Sequence, residues 1–237
     1  MVYSKYEGRG TPSVVFVAGL GDGSDTWNGV QERISQETST FSYDRPGTGR
    51  SQAVSGPRSC ADLVEELSGL LQKLNIVPPY ILVGHSFGGL VARLFAARYP
   101  ELILGMVLID AAVEYKELVY ERVLHDKLVA HNREYYLNPL MNKESIDKPR
   151  SYMELVELTQ MSDLNTSIIM RGLPDTYNEE WPNEAILRID QEMQAEVQKL
   201  YPSSQCRIAA GSRHYIHQDE PEIVIEEILA MIRGITP

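Results

Sequence analysis

The 237-residue chain has little cysteine, no hydrophobic run of membrane length, and less positive than negative charge. Its two cysteines, Cys60 and Cys206, are too few and too far apart for a disulfide framework, and there is no C-x-x-C motif. No apolar stretch approaches the length of a membrane-spanning helix, and the opening MVYSKYEGRG lacks the apolar core of a signal peptide. We therefore expect a cytoplasmic protein without a membrane partner.

The excess of acidic residues, 33 against 22 basic ones, gives a formal net charge of −11. Nucleic acids and anionic membranes repel such a chain, so neither is an expected partner, and a small-molecule substrate remains. There is no H-E-x-x-H motif, and the pair His214 and His217 has no third ligand at a suitable spacing, so no metal is expected. The sequence carries no signal for an oligomeric state.

The stretch from Tyr80 to Gly89, YILVGHSFGG, is the most informative part of the chain. A β-forming run breaks at Gly84 and re-forms after Ser86 and Gly88 as the helix-like LVARLFAARY. The three residues fit G-x-S-x-G, in which a serine on a strained strand-to-helix turn exposes its hydroxyl for attack on a carbonyl. The alternative is a glycine-rich connection in which the serine only caps the helix.

A serine nucleophile needs a base, and the C-terminal part of the chain supplies one. The sequence QCRIA, residues 205–209, predicts a short strand, and a turn at Gly211 and Ser212 follows it. A helix is expected from Pro221, which suits a first helical turn. His214 therefore lies on a loop after the last strand.

With these motifs in this order, the chain resembles the α/β-hydrolase family over nearly its whole length, apart from a middle insert. The order runs through VVFVAGLG, SYDRPGTGRS, GHSFG, GMVLIDAA and a late histidine before D-x-P. The resemblance implies that Ser86 is the nucleophile and His214 the base. It also implies an oxyanion hole made by the backbone N–H groups of Leu20 and Phe87, with no cofactor.

One departure from the family pattern concerns the loop that carries the oxyanion hole. Many relatives have His-Gly where this chain has Ala18-Gly19, so a side chain that often supports the loop is missing. The donor itself is a backbone group, so we expect the hole to persist. Asp44 and Arg45, in YDRPGTG, are expected to form a loop beside the active-site entrance.

The orienting acid has two main candidates, because relatives place it after either of two strands. Asp110 ends the strand GMVLID, and Asp175 follows SIIMRG at the commoner G-x-x-D spacing. We favour Asp110, since the surroundings of Asp175 are irregular and its path to His214 is long. Asp163 or a glutamate remains a minor alternative, and each aspartate could instead bind backbone N–H groups.

Strands alternate with helices along the chain, which predicts an α/β fold: a mostly parallel sheet with helices on both faces, as in the α/β-hydrolase fold. Residues 1–112 and 166–237 are expected to form the core, and 113–165 an inserted helical cap, or lid. The insert carries side chains that could line a pocket, although packing against the core is the commoner role. They are Tyr115, Tyr120, Tyr135, Tyr136, Tyr152, Met141, Met153 and Met161.

The sequence thus predicts a carboxylesterase-like serine hydrolase that cleaves a small or medium, largely apolar ester through an acyl-enzyme. Serine at the strained strand-to-helix turn, the nucleophile elbow, argues against dehalogenase and epoxide hydrolase chemistry, for which this family uses aspartate. One rival is an NAD(P)-binding oxidoreductase, suggested by GLGDGS and Asp44, although Ser24 replaces the third glycine. The other is a slow-turnover, ligand-sensing member of the same fold.

Overall fold

The computed structural model describes residues 1–158, 164–176 and 180–234, and a single sheet forms its centre. The strands described are β1 Ser4–Glu7, β2 Ser13–Val17, β3 Thr40–Tyr43, β4 Tyr80–His85, β5 Ile103–Ile109, β6 Asn165–Arg171 and β7 Gln205–Ala209. Their order across the sheet is β1-β3-β2-β4-β5-β6-β7.

Strand pairing is parallel throughout this sheet except at one edge, where β1 runs antiparallel to β3. Every residue of β2, β3 and β4 is buried, as expected for strands covered by helices on both faces. These features confirm the predicted fold class. The short N-terminal segment forms the single leading strand β1.

The connections between strands are mostly helical. Over the described residues the α-helices are α1 Asn28–Ile34, α2 Cys60–Lys73, α3 Phe87–Arg98, α4 Lys116–Tyr120, α5 Asp126–Leu137, α6 Lys148–Val156, α7 Asn183–Val197, α8 Ile216–Asp219 and α9 Pro221–Ile232. Short 3₁₀ helices cover Ser24–Trp27, Pro100–Leu102, Pro139–Met141 and Gln198–Leu200.

Local sequence explains how the longer helices begin and which side they bury. A capping box formed by Ser59 and Asp62 starts α2, and its Leu63, Leu67 and Leu71 form a buried stripe at helical spacing. Helices α2, α3 and α6 pack on one face of the sheet, and α1 and α9 pack on the other. The sheet therefore lies between two apolar layers.

The carboxyl ends of the parallel strands meet at one edge of the sheet, which is where open α/β folds bind ligands. Ser86 directly follows β4, Asp110 directly follows β5, and Arg171 is the last residue of β6. The loop after β7 carries His214 to the same edge. Residues from four strands are thereby brought together.

Between β5 and β6 the chain forms α4, α5 and α6, which lie within the predicted insert, residues 113–165. Tyr120, Leu124 and Leu128 pack against Ile186 of α7, whereas Tyr152 of α6 belongs to the main core. The boundaries of the insert as a separate unit remain a prediction. No helix in the described ranges is long and apolar enough to cross a membrane.

Candidate active site

Ser86 occupies the sharp turn between β4 and α3, with φ of 50° and ψ of −122°. A residue other than glycine is strained at such backbone angles, so the surrounding packing must hold Ser86 in this conformation. A Cβ on Gly88 would lie 2.1 Å from the carbonyl oxygen of Val17, and one on Gly84 would lie 2.8 Å from that of Gly88. The two glycines therefore permit the close approach that the turn needs.

His214 contacts Asp110 through its ring. The distance from His214 Nδ1 to Asp110 Oδ2 is 2.5 Å, and the Asp110 side chain is fully buried. Because a carboxylate only accepts, Nδ1 carries the proton, and Nε2 of the neutral ring is left free to accept one. This tautomer is the one that a general base facing a serine needs.

Asp110 has two further partners, which the sequence did not reveal. Arg171 Nη1 donates to Oδ2 at 2.5 Å, and Gln194 Nε2 donates to Oδ1 at 2.9 Å. Burial alone would raise the pKa of Asp110, but the Arg171 guanidinium and the hydrogen bond from His214 outweigh it. The pKa of Asp110 therefore lies well below its usual range, and the group stays ionised.

Asp175 also approaches His214, but at the backbone rather than at the ring. Its Oδ1 accepts a long hydrogen bond of 3.3 Å from the His214 N–H, and its Oδ2 lies 3.6 Å from Arg171 Nη2. Of the two acid candidates, the geometry brings Asp110 to the imidazole and Asp175 to the loop that carries it. The minor candidate Asp163 lies outside the described residues.

Ser86 and His214 line one cavity of about 430 Å³ at the edge where the carboxyl ends of the strands meet. Within the described part of the chain, no hydrogen bond joins the Ser86 hydroxyl to the His214 ring. Such bonds are often long without substrate and tighten in the complex. The other lining residues are Gly19, Leu20, Asp22, Lys116, Tyr120, Tyr135, Arg171, Asp175, Trp181, Asn183, Ile186, Asp190 and Tyr215.

The cavity wall combines apolar and charged side chains. Leu20, Trp181 and Ile186 supply apolar surface, while Asp22 and Lys116 supply charge. Of the tyrosines and methionines that could line a pocket, Tyr120 and Tyr135 do so. Met141 lines a smaller adjoining cavity, Tyr136 and Tyr152 pack in the core, and Met161 lies outside the described residues.

Leu20 lies on the loop after β2, and Phe87 is the first residue of α3. Across the residues described, neither backbone N–H has a hydrogen-bond acceptor. Free N–H groups beside a reactive serine can stabilise an oxyanion. Arg45, expected beside the entrance, is instead buried behind this loop and hydrogen-bonds to its carbonyl groups.

His85 is fully buried next to Ser86 and holds the loop that carries His214. Its Nε2–H donates to the carbonyl oxygen of His214 at 2.9 Å, while burial lowers the pKa of His85 well below its usual value. His217 lies 2.8 Å from Thr26 Oγ1 and packs on Trp27. No cluster of three or more potential metal ligands occurs among the residues described.

Asp44 was the candidate ribose ligand in the dinucleotide-binding alternative. Its carboxylate is buried and accepts from the Ser24 N–H and hydroxyl at 2.6 and 2.7 Å, and from the Arg50 N–H at 2.8 Å. These bonds fix the loop after β3 against the loop after β2. The Asp44 carboxylate is therefore occupied by hydrogen bonds that connect these two loops.

Several residues at or beside the site were not predicted from the sequence. Arg171 carries a weak signal, because a lone cation at the end of a buried strand needs a buried partner. Gln194 on α7 carries none, since an exposed helix would have the same residue. Glu144, which pairs with Arg45, also gives no sequence signal.

Comparison with known proteins shows the family of this chain. Residues 12–145 match the family model described as alpha/beta hydrolase fold. The uncharacterized protein YqjL of Bacillus subtilis is 30% identical over 219 residues, which cover 92% of this chain and 82% of YqjL. The chain belongs to the α/β-hydrolase family.

Solved structures show the same fold at lower identity. A thermophilic esterase from Thermogutta terrifontis superposes with a TM-score of 0.66 at 19% identity, covering 100% of this chain and 94% of the esterase. The haloalkane dehalogenase DatA from Agrobacterium tumefaciens gives 0.69 at 14% identity, covering 98% and 92%. Because these two enzymes perform different reactions on one fold, the reaction must be argued from the site.

Proposed function

We propose that this protein is a serine hydrolase that cleaves a small or medium carboxylic ester through an acyl-enzyme. The observation that carries the proposal is the 2.5 Å contact between His214 Nδ1 and Asp110 Oδ2, with His214 and the strained Ser86 lining one cavity. Serine at this position supports acyl transfer, because a serine hydroxyl attacks a carbonyl once a base removes its proton.

The reaction proceeds in two halves. His214 Nε2 accepts the proton of Ser86 as the hydroxyl attacks the ester carbonyl, and Asp110 stabilises the imidazolium that forms. The N–H groups of Leu20 and Phe87 bind the tetrahedral oxyanion. The imidazolium protonates the departing alcohol, and water then attacks the acyl-enzyme by the same route to release the acid.

The cavity limits the substrate. Its volume of about 430 Å³ lies in the lower part of the usual range for ligand sites, which supports a small or medium ester. Leu20, Trp181 and Ile186 suit an apolar body. Asp22 and Lys116 in the same wall suit at least one polar group on the substrate, so we propose a largely apolar ester with a polar end.

The proposal is tested with a fluorophosphonate probe and a series of p-nitrophenyl esters of increasing acyl length. We expect the probe to label Ser86 and the Ser86→Ala variant to remain unlabelled, because phosphonates react with serines that a base activates. We also expect multiple turnovers with short and medium acyl chains. Labelling of another serine would refute the assignment, and labelling of Ser86 without turnover would favour the ligand-sensing alternative.

A further inference from the structure

Arg45 hydrogen-bonds to the loop of residues 18–21, the oxyanion loop, which carries the proposed oxyanion donor Leu20. Its Nη1 donates to the carbonyl oxygen of Ala18 at 2.6 Å, and its Nη2 donates to that of Gly19 at 2.5 Å. The Gly19 carbonyl and the Leu20 N–H belong to one peptide group, and in a trans peptide they point in opposite directions. Fixing the carbonyl toward Arg45 therefore fixes the N–H on the other side of the loop.

Glu144 fixes the next peptide group of the same loop. Its Oε1 accepts from the Gly21 N–H at 2.7 Å. The same carboxylate binds Arg45 through two bonds of 2.7 Å, from Nε to Oε2 and from Nη2 to Oε1. The peptide groups on both sides of Leu20 are thus held by one fork-to-fork ion pair, a geometry with little freedom.

This ion pair is enclosed by protein and is neutralised internally. The side chains of Arg45 and Glu144 are 1% and 0% exposed. Burial would lower the pKa of the arginine, but the adjacent Glu144 carboxylate outweighs burial and raises it. Both groups are therefore charged, and neither can rotate toward water without losing its partner.

Glu144 comes from the insert and is anchored to the core. The Arg58 N–H donates to the carbonyl oxygen of Ser145 at 3.1 Å, and the Asp147 N–H donates to that of Arg58 at 2.8 Å. Ser145 adopts φ of 52°, an unfavourable angle for serine that this pairing maintains. The insert is therefore attached to the segment before α2 immediately beside Glu144, the residue that contacts the loop of residues 18–21.

We propose that Arg45 and Glu144 are positioning residues of the oxyanion hole. They act through the peptide groups around Leu20, on a loop where Ala18 has no polar side chain of its own. On this view the insert completes the catalytic centre as well as covering it. The inference rests on the proposed function, because it concerns the oxyanion of that reaction.

The test removes both charges together, because one unpaired buried charge would destabilise the fold, whereas an apolar pair of similar volume is often tolerated. For the double variant Arg45→Met, Glu144→Leu we expect kcat to fall on the order of 10²-fold to 10³-fold, with little change in KM. The inhibition constant of an alkyl trifluoromethyl ketone, which forms a tetrahedral adduct with the serine, should rise by the same factor. Arg45→Lys keeps the charge pair and should recover part of kcat.

The matched control is Arg93→Met with Glu114→Leu. This is also a two-bond arginine–glutamate pair, with bonds of 2.9 and 2.8 Å. Arg93 is buried and Glu114 partly buried, with exposures of 2% and 12%, and no hydrogen bond among the described residues joins the pair to the loop of residues 18–21. Unchanged kcat and inhibitor affinity in a folded Arg45 and Glu144 variant would overturn the inference. Equal losses in the control would also overturn it.

Two further outcomes are distinguishable. If the double variant does not fold, the single variant Arg45→Lys provides the test. A positioning role requires its inhibitor affinity and its kcat/KM to fall together relative to wild type while KM stays constant, and wild-type values of both would overturn the inference. Failure of the proposed function has a different signature, namely a wild-type protein that neither turns over esters nor reacts with a fluorophosphonate at Ser86.

Discussion

Replacing Asp110 with asparagine separates the two candidate acids with almost no change of shape. Oδ2 receives the His214 and Arg171 donors, and Oδ1 receives Gln194. Gln194 Oε1 has no hydrogen-bond partner among the described residues, so the amide of Gln194 can flip and accept from the new Asn NH₂ group. The asparagine oxygen then still accepts from His214, and the variant loses mainly the negative charge.

The energy lost when the Asp110 charge is removed follows from its distance to the imidazolium. A unit charge about 3 Å from the imidazolium contributes about 5.5 kcal/mol at an effective dielectric constant of about 20. The asparagine oxygen still accepts from His214 Nδ1, and this neutral hydrogen bond retains part of that energy. A remaining loss of about 4 kcal/mol corresponds to about 10³-fold in kcat, within the range for loss of a triad aspartate.

Asp175→Asn is the comparison variant. Its contact with His214 is a 3.3 Å bond to the backbone, so we expect kcat to stay within about tenfold of wild type. The assay is steady-state kinetics on a p-nitrophenyl ester, with active-site titration and thermal unfolding to confirm that each variant is folded. A greater loss from Asp175→Asn than from Asp110→Asn would refute the reasoning and make Asp175 the acid.

The remaining predictions concern the histidines. His214→Ala should lower kcat by several orders of magnitude with the fold intact, and His217→Ala should matter far less; equal losses, or loss of activity with a chelator, would point to a metal site. Burial lowers the pKa of His217 to about 3, so the unfolded chain binds a proton between about pH 6.5 and 3 that the folded chain does not. The free energy of unfolding should therefore fall as the pH drops through this window. In urea unfolding, His217→Gln should reduce this fall by on the order of 4 kcal/mol. An unchanged pH dependence in the variant would contradict the lowered pKa of His217.

Some parts of the fold and of the site could be predicted from the sequence because they depend on residues that are close together in the chain. The elbow needs small residues within two positions of Ser86, and the strand before it and the helix after it follow from local periodicity. The strand ahead of His214 and the helix from Pro221 were likewise predicted from local patterns, and the structure has both at those residues. The order of these motifs was enough to indicate the family.

The rest of the site depends on contacts between distant residues, which no local pattern encodes. Asp110 and Asp175 both lie at the catalytic edge, and only the packed sheet determines which one reaches the His214 ring. Arg45 meets Glu144 across 99 positions of sequence because strand order and the anchored insert bring them together. Sequence thus indicated Ser86 and His214 as candidates, because each lies on a turn or loop that local patterns predict, and tertiary packing decided which side chains contact them.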